Sequence, residues 1–193
     1  MMRRPRRTGR AAAIGGMLAL ALAACDPPGK PAMPEGPAGP SAAPFSHTAA
    51  YDLSGYYLPQ TEVRIGKWSF DHLFVGQAAE FRAWEGGAGS ETFAPVMLQF
   101  DDATSPMRQT EIGEARSITA RVLPMRYSVS DTRITFEGRS PELGLVVFEG
   151  RLNSEALATS RRNLGDEGAV VAGTLKVGNA PARPVSLRWW MGD

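Results

Sequence analysis

Apolar and polar side chains alternate residue by residue through most of the second half of this chain. A period of two is what a half-buried β-strand requires, and a helix cannot satisfy it. Val96, Leu98 and Phe100 alternate with Met97 and Gln99, and Ile118, Ala120 and Val122 with Ser117, Thr119 and Arg121. Ile134 and Phe136 alternate with Thr135 and Glu137, and Val171, Gly173, Leu175 and Val177 with Ala172, Thr174 and Lys176. Val185, Leu187, Trp189 and Met191 alternate with Ser186, Arg188 and Trp190. Weaker strand signals fall near 51–58, 68–75, 80–84, 126–129 and 145–152. The connections are short. Ser140-Pro141-Glu142-Leu143-Gly144 joins two strands that each carry Phe-Glu-Gly-Arg, at 136–139 and 148–151, and Gly178-Asn179 is a hairpin-turn pair. Connections this short favour antiparallel neighbours over βαβ crossovers.

One helix is predicted, over 154–164. Asn153 or Ser154 caps it, Glu155 lies in its first turn, and Arg161 and Arg162 lie in its last, with Gly165 as the stop. Leu157, Arg161 and Leu164 share one face of it. The expected fold is therefore mainly β: a single antiparallel β-barrel or β-sandwich of about 8–10 short strands with one short helix. Over four residues, Ser54-Gly55-Tyr56-Tyr57 resembles the start of lipocalin-like barrels, in which a glycine and an aromatic open the first strand. No family function is carried over from it.

The amino terminus reads differently. Arg3, Arg4, Arg6, Arg7 and Arg10 come without any acid, and Ala11 to Ala24 follow as an apolar run. Fourteen residues at about 1.5 Å each span roughly 21 Å, too short to cross a bilayer core. The run ends in Leu22-Ala23-Ala24-Cys25, and Cys25 is the single cysteine of the chain. This layout resembles the lipobox of bacterial lipoproteins. The resemblance implies a signal peptide over 1–24, removed before Cys25, and acyl chains on the Cys25 sulfur and on its new amino group. Several chains on one residue hold a protein to a membrane far more firmly than one. The same resemblance implies a protein facing the periplasm, with inner against outer membrane left open. Lipidation also uses up the only thiol, so the mature chain has no disulfide to lean on.

From Asp26 to Pro44 the chain carries seven prolines and no aromatic or β-branched residue. Such a stretch cannot bury enough surface to fold, and it reads as an extended tether of at most roughly 60 Å. The domain boundaries that follow are a signal at 1–24, a lipidated cysteine and tether at 25–48, and a β-rich globular domain at 49–193. About 140 residues suit one core. With the signal gone, sixteen basic residues face twenty acidic ones, a side-chain balance of −4. That leaves no basic footprint for nucleic acid.

Candidate chemistry is sparse. The sequence has no nucleophile elbow, zinc-protease motif or phosphate loop, and no catalytic residue, metal site or cofactor is assigned. His72 is the one histidine inside the predicted domain. On a regular strand Trp68, Phe70, His72 and Phe74 would point the same way, which makes His72 a polar-site candidate in aromatic surroundings. Asp101-Asp102 reads as a solvated strand end. Glu137, Glu149, Arg133, Arg139 and Arg151 read as a surface charge lattice. Alternation turns one of Trp189 and Trp190 outward, and an outward Trp190 is an anchor for a partner. Arg161, Arg162 and Trp190 therefore form the candidate binding surface. The functional expectation is a lipid-anchored envelope protein whose β domain binds a partner protein, an envelope component or a small apolar ligand. The alternatives are a periplasmic enzyme with a scattered site and a structural subunit of an envelope assembly.

Overall fold

Strand pairing runs along one continuous path. The computed structural model describes residues 43–110 and 113–192. Its elements are β1 Phe45–His47, β2 Gly55–Pro59, β3 Arg64–Ile65, β4 Trp68–Val75, α1 Ala78–Glu85, β5 Val96–Asp102, β6 Met107–Thr110, β7 Gly113–Arg116 and β8 Thr119–Val122. They continue with β9 Pro124–Ser130, β10 Arg133–Ser140, β11 Gly144–Leu152, α2 Ser154–Arg162, β12 Val171–Val177 and β13 Arg183–Trp190. The main sheet has the order β1-β9-β10-β11-β12-β13-β2-β4-β5-β8, with β3 beside β4, while β6 and β7 pair as a separate hairpin. Only the β1–β9 contact is parallel. Leu123 alone separates β8, at one end of the path, from β9, next to the other end, so the two are halves of one bent run. Its first half pairs with β5 and its second with β10. A single curled sheet of this kind is barrel-like and falls within the expected mainly β barrel-or-sandwich class.

The inward residues build one core. Tyr57, Leu73, Leu98, Phe100, Tyr127, Ile134, Phe136, Phe148, Leu175 and Leu187 are essentially inaccessible and belong to one cluster. The Phe-Glu-Gly-Arg echo has a packing reason. Phe136 faces Phe148 across β10–β11, and each ring folds back over the glycine two residues on. A Cβ on Gly138 would sit 2.7 Å from the Phe136 ring, and one on Gly150 would sit 2.8 Å from the Phe148 ring. Gly150 in turn faces Gly173 on β12, where a Cβ would lie 2.1 Å from the Glu149 carbonyl oxygen. Glycine at these three positions makes room for aromatic rings inside the barrel.

Four expectations are corrected. Residues 80–84 are not strand but lie in the second helix, α1. The Glu80 carboxylate accepts the Gln77 N–H at 2.6 Å, Phe81 and Trp84 lie three apart on one face, and Gly86 ends the helix. Phe45–His47, expected within the tether assigned to 25–48, is a strand of the sheet; residues 25–42 lie outside the described residues. Met191 and Leu164 do not join the core. They are 58% and 65% exposed. Lastly, β4 does not keep one face. Phe70 pairs with Phe100 but His72 with Gln99, so Asp71 is an extra residue, a bulge. Trp68 and Phe70 point inward before it, Leu73 and Val75 after it. His72 and Phe74 thus lie on the outer face.

Both helices stand at the same end of the barrel. α1 links the end of β4 to the start of β5, and α2 links the end of β11 to the start of β12. Each sends one residue into the core, Phe81 and Leu157. The segment 48–54 crosses this end between β1 and β2.

Candidate functional site

The helical end carries the most developed surface. Segment 48–54 is pinned there by side chains from distant parts of the chain. The Asp131 carboxylate accepts the N–H groups of Ala50 and Tyr51, both at 2.9 Å. The Tyr57 hydroxyl donates to the Leu53 carbonyl at 2.7 Å. Arg161, in the last turn of α2, donates to Asp52 Oδ2 at 2.9 Å and to the Ser54 carbonyl at 2.8 Å. Trp189 Nε1 donates to the same carbonyl at 3.0 Å, and the Arg161 guanidinium lies 5.1 Å from the Trp189 ring centre. Gly55 makes this closeness possible. It has φ +137°, and a Cβ there would lie 2.2 Å from Trp189 Nε1. Partial burial alone would raise the Asp52 carboxyl. Hydrogen bonds from Arg161 and Ser54 outweigh it and hold the group at about 2. The Arg161 Nε hydrogen is shut from water without a partner.

Clefts surround the pinned segment. One of about 460 Å³ is lined by Asp52, Tyr56, Phe74, Gln77, Arg161 and Met191, among others. A second, of about 390 Å³, lies between Tyr51, Leu53 and the α2 residues Leu157, Ala158 and Arg161. Arg161 is therefore a shared wall. The second is mainly apolar, while the first also presents Asp52, Gln77, Glu80 and Arg161; clefts of this volume suit a small ligand or one or two partner side chains.

The residues singled out in the sequence are only partly brought together. Arg161 belongs to the clefts but is already engaged within the fold. Arg162 is exposed, with a weak contact to Thr159 at 3.4 Å. The apolar stripe of α2 divides: Leu157 is buried and plugs the barrel end, while Leu164, after the helix, lines the first cleft. Trp190 faces outward, half-buried, its ring centre 5.6 Å from that of Tyr56. His72 stands apart from the clefts described above. Its Nδ1 lies 2.7 Å from Asp71 Oδ2, and its ring meets Tyr56 edge-on at 5.0 Å. The pair can hold or pass a proton, but among the described residues no hydroxyl or thiol is hydrogen-bonded to His72 as a nucleophile. Nor do the described residues contain a group of three or more His, Cys, Asp or Glu arranged to hold a metal ion.

Asp102 is not a solvated strand end. It is buried, accepts from Lys67 Nζ at 2.7 Å and from both the N–H and hydroxyl of Thr104, and those contacts hold its carboxyl well below the usual range. Glu137 faces Val147 and Glu149 faces Thr135, so the two carboxylates are not partners. Glu149 instead pairs with Arg133 at 2.8 Å on the open surface. Cys25 lies outside the described residues. Set against protein-family models, curated proteins and solved structures, the chain matches none.

Sequence reasoning missed the pinned segment and the clefts. Their one visible trace is the run Tyr51-Asp52-Leu53-Ser54, whose acid and serine suit a capped turn. Its partners Asp131 and Arg161 lie some eighty and more than one hundred residues away.

Proposed function

We propose that this is a lipid-anchored protein of the bacterial envelope whose β domain works by binding. Its contact surface is the helical end, made of the clefts beside segment 48–54 and the exposed residues Arg162 and Leu164. The observation that carries this reading is the pair of clefts on either side of Arg161, built on a loop held by long-range hydrogen bonds. A loop immobilised in this way pays its ordering entropy on folding, which leaves less to lose on binding. The barrel interior supports the same reading from the other side. It is filled by rings, so a ligand meets this domain on its outside. The enzyme alternative rests on the Asp71–His72 pair alone, which lines neither of these clefts.

A photo-crosslinking amino acid at Leu164 tests the reading, with the same probe at Lys176 on the far wall as control. In intact cells, Leu164 is expected to yield one discrete adduct that Arg162→Ala weakens, and Lys176 none. Equal, diffuse labelling from both positions would overturn it.

A further inference from the structure

The outer wall of the sheet is mostly polar, but one row of it is aromatic. On β9 through β12, outward positions in register read Ser128, Thr135, Glu149 and Thr174, and the next row reads Arg126, Glu137, Val147 and Lys176. On β13, β2, β4 and β5 the outward row beside the helical end reads Trp190, Tyr56, Phe74 and Met97. These four are direct cross-strand neighbours; Met97 is covered, at 7% exposed, and Tyr56 and Phe74 also line one wall of the first cleft. Ring centres are 5.6 Å apart for Tyr56–Trp190 and 5.3 Å for Tyr56–Phe74, and Phe93 extends the patch at 5.7 Å from Phe74. Met191 and Phe93, at its margins, are 58% and 37% exposed. The bulge at Asp71 creates this wall, because without it Phe74 would face the interior.

We infer that this aromatic row rests on the lipid surface to which the protein is anchored. The inference rests on the proposed anchoring at Cys25. The first argument is reach. Residues 26–44, extended, cover at most roughly 60 Å, more than the width of a domain this size, so every wall of the barrel has access to the bilayer. Surface chemistry then decides which wall docks. Trp190, Tyr56 and Phe74, with Phe93 and Met191 at their margins and no charge among the five, match the boundary between headgroups and acyl chains, where rings bury their apolar bodies and keep polar tips wet. The polar walls have no such gain to offer. The second argument is concentration. A short tether holds the domain at an effective concentration of about millimolar over its own membrane, so a patch too weak to dock from solution docks when anchored. Arg188 borders the row on β13, and the Asp71–His72 pair borders it on β4. The edges therefore carry both signs, and the contact depends on apolar burial more than on headgroup charge.

The test supplies the anchor chemically. A chain beginning at Cys25 keeps the whole compact unit 42–193, and its only thiol couples to a maleimide lipid in phosphatidylcholine–phosphatidylglycerol vesicles containing brominated lipid. Bromine quenches tryptophan emission on contact. Quenching is expected in the coupled protein, is expected to survive raised salt, and is expected to be largely lost in Trp190→Phe. Phe93→Ser with Met191→Ser, at positions already exposed, should lower it strongly with an unchanged melting curve. No quenching, or quenching that both variants leave intact, would overturn the lipid contact. So would a concentration-dependent dimer in free solution that the double variant abolishes, since a second copy would then cover the row. The chemical anchor makes the result independent of native acylation and of any partner at Leu164, so this inference and the binding reading fail separately.

Discussion

At the scale of single residues, Asp101 illustrates how a carboxyl on a barrel wall can work against folding. It lies on β5 between Ser69 and Thr119. Burial pushes it up to about 6 and the charge of Asp71 adds to this, while His72 and Arg116 oppose it. An acid whose folded value lies above its unfolded one binds its proton more tightly when folded. Its cost is absent below the unfolded value of 3.8, grows as pH rises toward about 6, and is complete above that. Asp101→Asn is therefore expected to stabilise the domain near neutral pH by about 1 kcal/mol, allowing for the water that still reaches the group, and to do nothing below about pH 3.5. Denaturant melts at the two pH values check it, and an equal effect at both would mean that the shift is not electrostatic. None of this was legible in the sequence, where Asp101-Asp102 reads as a solvated pair. What separates the two acids is register: Asp102 turns inward to Lys67, and Asp101 outward beside Asp71.

At the scale of elements, alternation read the strands well wherever one face is core and the other water. β5, β10, β12 and β13 lie where the period of two places them. It failed where a single residue changes the phase. Asp71 inserts a bulge and reverses His72 and Phe74, and no composition signal marks it. It failed again at 80–84, where Glu80 to Ala83 alternates by chance and the helix is instead announced by Ala78-Ala79 in its first turn and Gly86-Gly87 after it. β1 was hidden for a third reason. Three residues following a proline-rich stretch carry too little pattern, yet Phe45 packs against Tyr127 and Trp84 at 5.1 and 5.9 Å, and His47 stacks on Phe81 at 4.0 Å. A chain starting at Ala49 loses all of these contacts and the parallel pairing to β9. Its melting point is expected to fall by roughly 5–10 °C relative to a chain starting at Ala43. Coincident melting curves would show that β1 adds nothing to the fold.

At the scale of the whole molecule, the proposed anchor and the folded core lie apart along the chain. Among the described residues, the buried core cluster runs from Leu53 to Trp189, more than twenty-five residues beyond Cys25. A change at Cys25 is therefore expected to act on processing and attachment and to leave the melting of the domain as it was. Cys25→Ser removes the sulfur that the acyl chain would occupy. The precursor should then keep its signal and run at full length, while the domain melts at the same temperature as the wild type. Were the signal instead an ordinary secretory one, the serine variant would be cut normally and found free in the periplasm. The wild type would then start at an unmodified residue, because cleavage would not wait for a lipid. Intact-mass spectrometry of membrane and soluble fractions distinguishes these outcomes. A wild-type mature chain carrying unmodified Cys25, or one starting beyond it, would remove the anchor. The docked aromatic wall would then lose the local concentration that a weak apolar contact needs.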